Sequence, residues 1–589
     1  MQFLWKYIRK YKWMIAGGMS LKLCGTLVEL MIPYVMEHLL DHVVPRKELA
    51  PVLLWGGVMI LLACCVRFLN VTANRTAVKV AKENIFAIRR DVFHRAMNLS
   101  GRQMDAFGLP SLISRLTSDT YNVQSFIQSV QTLGIRAPIM LLGGIAVTLT
   151  MDAGLAVILC AMAPIMIALV VFVSSKGIPL YDLVQRGMDN IVRVMRENIT
   201  GIRVVKALSK EPYEMRRFSG TNEETARRDI RASITMALPG PIVTMFLNIG
   251  LTLVVLLGAR RVNAGDTEPG VILAFLTYFN MILMGVMGLN RVFMMLSKAN
   301  ASAARLAAVA ELPEDLPVLP QSEAAPCERD GYIVFDHVSF SYDADGKTGA
   351  VSAAAFAGSS RQQCLTDIDF AIQKGGSLGI IGATGSGKTT IINLLMRFYD
   401  TQQGHVFIDG RDVRTWDKDE LHRRFGVVFQ NDAIFADTIR ENVVFGRDVN
   451  DEGLASALSD AMAADFVSRY DDGAEHQAAI HGGNFSGGQK QRLLIARALA
   501  AKPDILILDD ASSALDYRTD AELRKAITAH HGGATLIVIA QRVSSIMNLD
   551  QIIVLDEGRV IGKGTHGELV RDCAVYREIQ QTQMGEAMA

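Results

Sequence analysis

The chain has 589 residues, long enough for two to four domains, and half of them are hydrophobic against one fifth charged. With a mean hydropathy of +0.23, that balance excludes a disordered polymer and is too apolar for an ordinary large soluble enzyme. The zero formal charge hides a division: residues 1–311 hold 34 Lys+Arg against 20 Asp+Glu, and the remainder 26 against 40. Seven cysteines, at positions 24, 64, 65, 160, 327, 364 and 573, show no CxxC spacing, so neither a disulfide framework nor a zinc site is expected.

From the N-terminus, MQFLWKYIRKYKW is basic and precedes an apolar stretch. Lys22, Glu29 and Glu37 interrupt that stretch and no small-residue cleavage pattern follows, so it reads as a retained membrane helix rather than a signal peptide. Between Arg231 and Arg260 lie 28 uncharged residues, about 42 Å as a helix against a hydrocarbon core of ~30 Å. Runs at 153–175 and 269–290 also suffice, and those at 13–36, 51–66 and 137–151 are completed by extension past a charge facing the protein interior. Six spans are expected in residues 1–311.

The connections between spans two and three and between four and five run for tens of residues, keep helical periodicity and are rich in arginine, among them Arg89, Arg90, Arg95, Arg193, Arg196 and Arg203. The positive-inside rule then puts the N-terminus, both long connections and everything after the sixth span in the cytoplasm. Met281, Met284 and Met287 recur every three residues in span six, as a flexible cavity wall would, although ordinary packing also explains them. Glu29 and Glu37 could attract a cationic substrate or pair with a neighbouring Arg or Asn. Four prolines and several acids in LPEDLPVLPQSEAAPCERDG make residues 312–330 an extended linker.

From Gly331 short β-rich runs alternate with helices. The apolar strand SLGIIG leads into GATGSGKT and then a helix, the context a phosphate loop requires. Gly382, Ala383, Thr384, Gly385, Ser386 and Gly387 can wrap backbone N–H groups around phosphates at a helix N-terminus; Lys388 can reach the β- and γ-phosphates, and the Thr389 hydroxyl, followed by Thr390, can ligate Mg2+. A second strand, ILILD, ends in Asp509, a candidate metal ligand. Between them NFSGGQKQR opens another helix. Ser486 as its cap, with Gly487, Gly488 and Gln489, makes a second anion-binding surface, which is useful if it closes on a nucleotide held by another subunit.

FSGGQKQR between a phosphate loop and ILILDD resembles the signature of ATP-binding cassette proteins, and six spans ahead of it resemble their exporter class, almost end to end. The resemblance implies an all-α six-helix transmembrane bundle with long cytosolic extensions (1–311), then an α/β P-loop NTPase cassette with a helical subdomain (331–589), in a plasma-membrane exporter that moves a hydrophobic or amphipathic substrate with ATP and Mg2+. It implies that Tyr342 stacks on adenine, that Gln430 contacts Mg2+, that Asp516 lies at the cassette interface, and that short coupling helices fall near 107–119 and 211–220. The segment from Asp343 to Cys364 is longer than the family usually shows and takes no role. Two departures stand out. Asp510 occupies the place of the catalytic Glu, withdrawing the carboxylate by roughly 1.5 Å, where misplacement of about 1 Å can cost a hundredfold in rate. Gln541 occupies the place of the γ-phosphate His and cannot carry its charge. With the signature intact, this resembles the degenerate-site subunit of heterodimeric multidrug exporters, whose partner chain supplies the Glu and His. A homodimer with a tolerated Asp base, and an ATP-gated channel or regulator, are the rival readings. No motif identifies the substrate.

Overall fold

The computed structural model describes residues 1–313, 316–342, 364–430 and 432–585, so the expected insertion at 343–364 lies outside the described residues but for Cys364. The chain forms two compact units. The first comprises Met1–Met97 with Pro110–Leu312, and the second Asn98–Leu109 with Pro313–Ala589.

In the first unit apolar periodicity produces helices, most of them long. They are α1 (Gln2–Ile8), α2 (Lys12–His38), α3 (Leu49–Met97), α5 (Leu109–Ser114), α6 (Thr120–Met151), α7 (Ala153–Thr200), α8 (Ile202–Ala207), α9 (Glu211–Ala237), α10 (Pro239–Ala264) and α11 (Pro269–Ala310); α4 (Gly101–Phe107) belongs to the second unit. Among the described residues, five stretches are long and apolar enough to cross a membrane: 2–46, 49–97, 109–151, 211–264 and 269–310. In the expected fourth span the described apolar segment is Ala153–Leu169, which lies within α7. Helix α7 itself continues unbroken to Thr200, across Pro164 and Pro179.

Small residues let α6 and α11 approach closely: a Cβ on Gly285 would meet the Ala137 carbonyl oxygen at 2.8 Å, and one on Gly288 the Ala137 methyl at 2.9 Å. Three charged residues inside the helices, Lys22, Arg136 and Glu29, have side-chain partners. Lys22 donates to Asn70 (2.6 Å) and Asn74 (3.2 Å), and Arg136 donates to Glu29 (2.8 Å), so Glu29 follows the pairing alternative. Glu37 is half-buried one turn before Asp41, whose carboxylate accepts from the Gly270 N–H. The three methionines of α11 do not share one environment: Met281 packs beside Leu30, Met140 and Tyr278, whereas Met284 and Met287 are exposed. A polar brace joins α6 to α11, with the buried Asp119 accepting from Arg305 Nε at 2.8 Å and from the Ser302 hydroxyl at 2.8 Å.

The second unit is built on two sheets. Strands β1 (Ile333–Phe340), β2 (Leu365–Ile372), β4 (Gln403–Ile408) and β5 (Arg411–Asp412) form an antiparallel sheet in the order β2-β1-β4-β5. The other sheet runs β10-β9-β3-β8-β7-β6, from β3 (Ser377–Gly382), β6 (Phe425–Val428), β7 (Ile505–Asp509), β8 (Thr535–Ile539), β9 (Gln551–Asp556) and β10 (Arg559–Gly564), and is parallel except for β10. Every residue of β7 is buried, as a parallel strand covered on both faces requires. Helix α12 (Lys388–Leu395) packs Ile391, Ile392 and Leu395 on this sheet in one core with Phe335, Phe370, Ile380 and Ile507. The helices α13 (Lys418–Arg423), α14 (Ile439–Val444), α15 (Asp451–Asp460), α16 (Ala464–Val467) and α17 (Gly487–Ala500) follow, and α14 to α17 share a second core around Phe466, Leu493 and Leu499. Helices α18 (Tyr517–His530), α19 (His566–Asp572) and α20 (Ala574–Gly585) complete the unit.

Ser100 caps α4 by accepting from the Gln103 N–H, and Gly108, at φ +70°, ends it; the stretch near 107–119, expected as a short coupling helix, contains α5. Residues 211–220 are simply the start of the 27-residue α9 in the first unit.

Candidate nucleotide site

In the six-stranded sheet β3 and β7 flank β8, so the loops leaving the carboxyl ends of all three strands converge, the place where open α/β sheets bind ligands. There a cavity of about 310 Å³ is lined by Tyr342, Thr384, Gly385, Gly387, Lys388, Thr389, Thr390, Gln430, Asp509, Asp510 and Gln541, with Cys364 and Ile539. The structure thus brings together most of the expected nucleotide-binding residues. Gly382, Ala383 and Ser386 belong to the same loop behind this lining.

The loop geometry depends on backbone conformations open to glycine. Gly387, the N-cap of α12, has φ +100°, and a Cβ there would also crowd Leu365 and the Cys364 carbonyl. Lys388 folds its ammonium onto the carbonyl oxygens of Gly382 (2.8 Å) and Ala383 (2.7 Å), and burial holds it below the usual lysine range. Thr389 Oγ1 donates to Asp509 Oδ2 at 3.1 Å. Burial, reinforced by the neighbouring Asp510, pushes the Asp509 carboxyl up. Asp510 sits in the left-handed region at φ +51°, its N–H donating to the Ile539 carbonyl, and burial raises its carboxyl too. Gln541 Nε2 donates to Asp510 Oδ2 at 3.2 Å. The two departures from the family pattern are therefore bonded to each other.

Ser486, Gly487, Gly488 and Gln489 stand apart from this cavity, at the start of α17. Ser486 and Gln489 form a reciprocal capping box, the Ser486 N–H donating to Gln489 Oε1 at 2.8 Å. Their neighbour is the loop that ends in Asp516: a Cβ on Gly488 would lie 3.1 Å from the Ala514 carbonyl oxygen. Asp516 caps α18 by accepting from the Thr519 N–H.

A family model of the ABC transporter transmembrane region matches residues 15–287, and one of the ABC transporter matches 365–513. The chain is 33% identical to an uncharacterized ABC transporter ATP-binding protein of Mycobacterium tuberculosis, over 98% of this chain and 97% of the relative. The chain belongs to the ABC transporter family. This ABC transporter is also 29% identical to the ATP-dependent lipid A-core flippase of Chromohalobacter salexigens, over 86% of this chain and 85% of that one. Its fold matches that of a bacterial Atm1-family ABC exporter solved with ATP bound, at a TM-score of 0.78 and 23% identity, covering 97% of this chain and 98% of the other. It is a multi-pass membrane protein of exporter architecture whose ATPase domain couples ATP hydrolysis to transport.

The residues of this transporter fit Mg2+. A threonine hydroxyl and a buried carboxylate 3.1 Å apart, with Gln430 on the same cavity wall, form a hard oxygen donor set, and burial of Asp509 beside a second acid favours a cation. When bound, Mg2+ neutralises charge on the phosphate oxygens.

Sequence reasoning missed one group that shapes the site of this transporter. Gln583 of α20 donates from Nε2 to the Gln541 carbonyl (2.8 Å) and accepts the Val543 N–H at Oε1 (2.8 Å), clamping the segment that carries Gln541. Nothing local in the sequence marks this contact, which spans about forty residues. Gln583→Ala is expected to loosen residues 541–545 by about 1–3 kcal/mol, two hydrogen bonds at their usual net worth. Faster amide exchange across that segment is the expected reading, and unchanged exchange would rule the clamp out.

Proposed function

We propose that this transporter is one half of a heterodimeric exporter in which its own ATP site turns over slowly and its signature serves a non-identical second chain. In this reading residues 1–311 form the membrane domain, 312–330 the linker and 331–589 the cassette, with the N-terminus and cassette in the cytoplasm and the whole in the plasma membrane. The observation that carries the reading is the Gln541–Asp510 hydrogen bond. A γ-phosphate site needs a carboxylate free to orient water and a partner able to carry charge. Here the shortened acid accepts a hydrogen bond from a neutral amide, which cannot carry that charge.

Lys388, Thr389, Thr390 and the glycine loop hold the triphosphate, with Tyr342 under the adenine. Asp509, Thr389 and Gln430 hold Mg2+, and Asp510 with Gln541 faces the γ-phosphate. Ser486, Gly487, Gly488 and Gln489, beside Asp516, cover the ATP of the second chain, which supplies the Glu and His of the faster site. Binding of ATP closes the cassettes, closure opens the bundle outward, and hydrolysis at the partner's site resets it. The cargo is hydrophobic or amphipathic, a class supported by the resemblance to lipid A-core flippases.

Purified alone in lipid, the chain is expected to bind ATP yet hydrolyse it roughly tenfold or more slowly than in complex with its companion. Brisk hydrolysis and directional transport by the chain alone would overturn the heterodimeric reading.

A further inference from the structure

Tyr342 is held from several sides. Its hydroxyl donates to Thr390 Oγ1 and accepts from Asn393 Nδ2, both at 3.2 Å, so it is tied to the phosphate-loop helix. Its ring meets Phe340 and Tyr399 edge-to-face, with centroids 4.9 and 5.0 Å apart and planes near perpendicular. Tyr399 stands in the turn after α12, and its hydroxyl donates to Asp105 Oδ2 of α4 at 2.6 Å. Burial, with that carboxylate, pushes the Tyr399 phenol up, so the proton stays on the tyrosine and the bond keeps its direction.

The fit of α4 against this ring is close. A Cβ on Gly101 would meet the Tyr399 ring at 2.7 Å, so only glycine lets the first turn of α4 lie there. A second tie runs from α4 to the linker, Gln103 Nε2 donating to the Pro313 carbonyl at 2.8 Å. The same turn after α12 also holds the linker, through Arg397 Nη2 on the Pro317 carbonyl at 2.7 Å. Tyr342 is moreover a shared wall. It lines the nucleotide cavity on one side and, on the other, a cavity of about 330 Å³ with Ser100, Arg102, Phe340 and Tyr399.

We propose that Tyr399 is a positioning residue that reports base occupancy on Tyr342 to α4 through its hydroxyl bond to Asp105. The proposal rests on the reading of Tyr342 as the adenine platform. A base stacked on the Tyr342 ring fixes its plane, and the perpendicular contact transfers that constraint to Tyr399. The short phenol–carboxylate bond then fixes Asp105. Because α4 is continuous in the chain with α3 on one side and α5 on the other, its setting bears on the helices of the first unit by covalent connection. The phosphates are read by the glycine loop, and on this account the base is read separately.

Hydrogen exchange on the full transporter in lipid discs, with its second chain, tests this. In the unmodified protein Mg-ATP should slow exchange both in the phosphate loop, 382–390, and in α4, 98–109. Mg-tripolyphosphate, which lacks a base, should slow the loop alone. Tyr399→Phe keeps the ring and removes the hydroxyl. It should retain the loop response to ATP but less than about half of the α4 response. Asp105→Leu should do the same from the other end, and the retained loop response certifies that each variant is folded. An undiminished α4 response in Tyr399→Phe, or an α4 response to tripolyphosphate equal to that for ATP, would overturn the relay while leaving the ATP site intact. Absence of loop protection by ATP in the unmodified protein would overturn the nucleotide reading and the relay with it.

Discussion

Replacing Asp510 by Glu and Gln541 by His together is expected to raise ATP turnover at this chain's own site by about a hundredfold. The added methylene carries the carboxylate forward by roughly 1.5 Å, and displacement of about 1 Å at a reacting centre is worth two decades of rate. The imidazole restores a group able to carry charge near neutral pH, which the amide at 3.2 Å from Asp510 cannot. The two changes should be non-additive, because each residue is the other's hydrogen-bond partner. Asp510→Glu alone leaves the longer acid bound by the amide of Gln541, and Gln541→His alone leaves the imidazole facing a carboxylate that falls short. The measurement is phosphate release from the complex with its second chain, whose own site has been silenced so that the background is low. If the double variant hydrolyses no faster than the natural pair, the acid and amide are not what limits this site.

Ser486→Arg is expected to cost the complex on the order of a hundredfold in total ATP turnover, the scale of losing fixed phosphate-stabilising donors. Lys388→Ala in the same chain should cost only severalfold. The contrast follows from where the two groups stand. Lys388 lies against Asp509 and Asp510, which the proposal makes the slow site, whereas Ser486 caps α17 outside that cavity and on the same proposal serves the nucleotide of the second chain. Ordinary intuition ranks the phosphate-loop lysine as the more damaging loss, so the reversed order is diagnostic. Equal severity of the two substitutions would mean that both sites turn over alike, and the proposed asymmetry would fall.

The parts of this molecule that were legible in the sequence are those set by contiguous residues. GATGSGKT after a buried strand and before a helix can hardly be anything but a phosphate loop, and α12 begins at Lys388 as that spacing demands. The capped signature helix was equally local: Ser486 and Gln489 are three residues apart and bond each other. What remained hidden depends on which strands become neighbours. The bond between Gln541 and Asp510 exists because β8 pairs with β7, and residues thirty-one apart give no hint of that by themselves. The methionines of α11 were grouped by spacing alone, but their exposure is set by α2 and α6, which cover Met281 and leave Met284 and Met287 open. The fourth span is an uncharged run in the sequence, and α7 carries that run onward as one helix through Pro164 and Pro179. The short helix α4 is hard to delimit from sequence because its boundaries are fixed by a serine cap and a glycine with positive φ, two weak signals inside a long helical pattern.

That α4 belongs with the cassette unit also has a bearing on how the protein is made. Asp105 and its partner Tyr399 are 294 residues apart, so at roughly 5–20 residues per second α4 leaves the ribosome some 15–60 s before its docking partner is synthesised. Meanwhile the Asp105 carboxylate and the close-packed Gly101 have no aromatic partner to meet. The nascent chain thus carries an unfinished joint through most of its synthesis, and the last steps of assembly must return to one of the first segments translated.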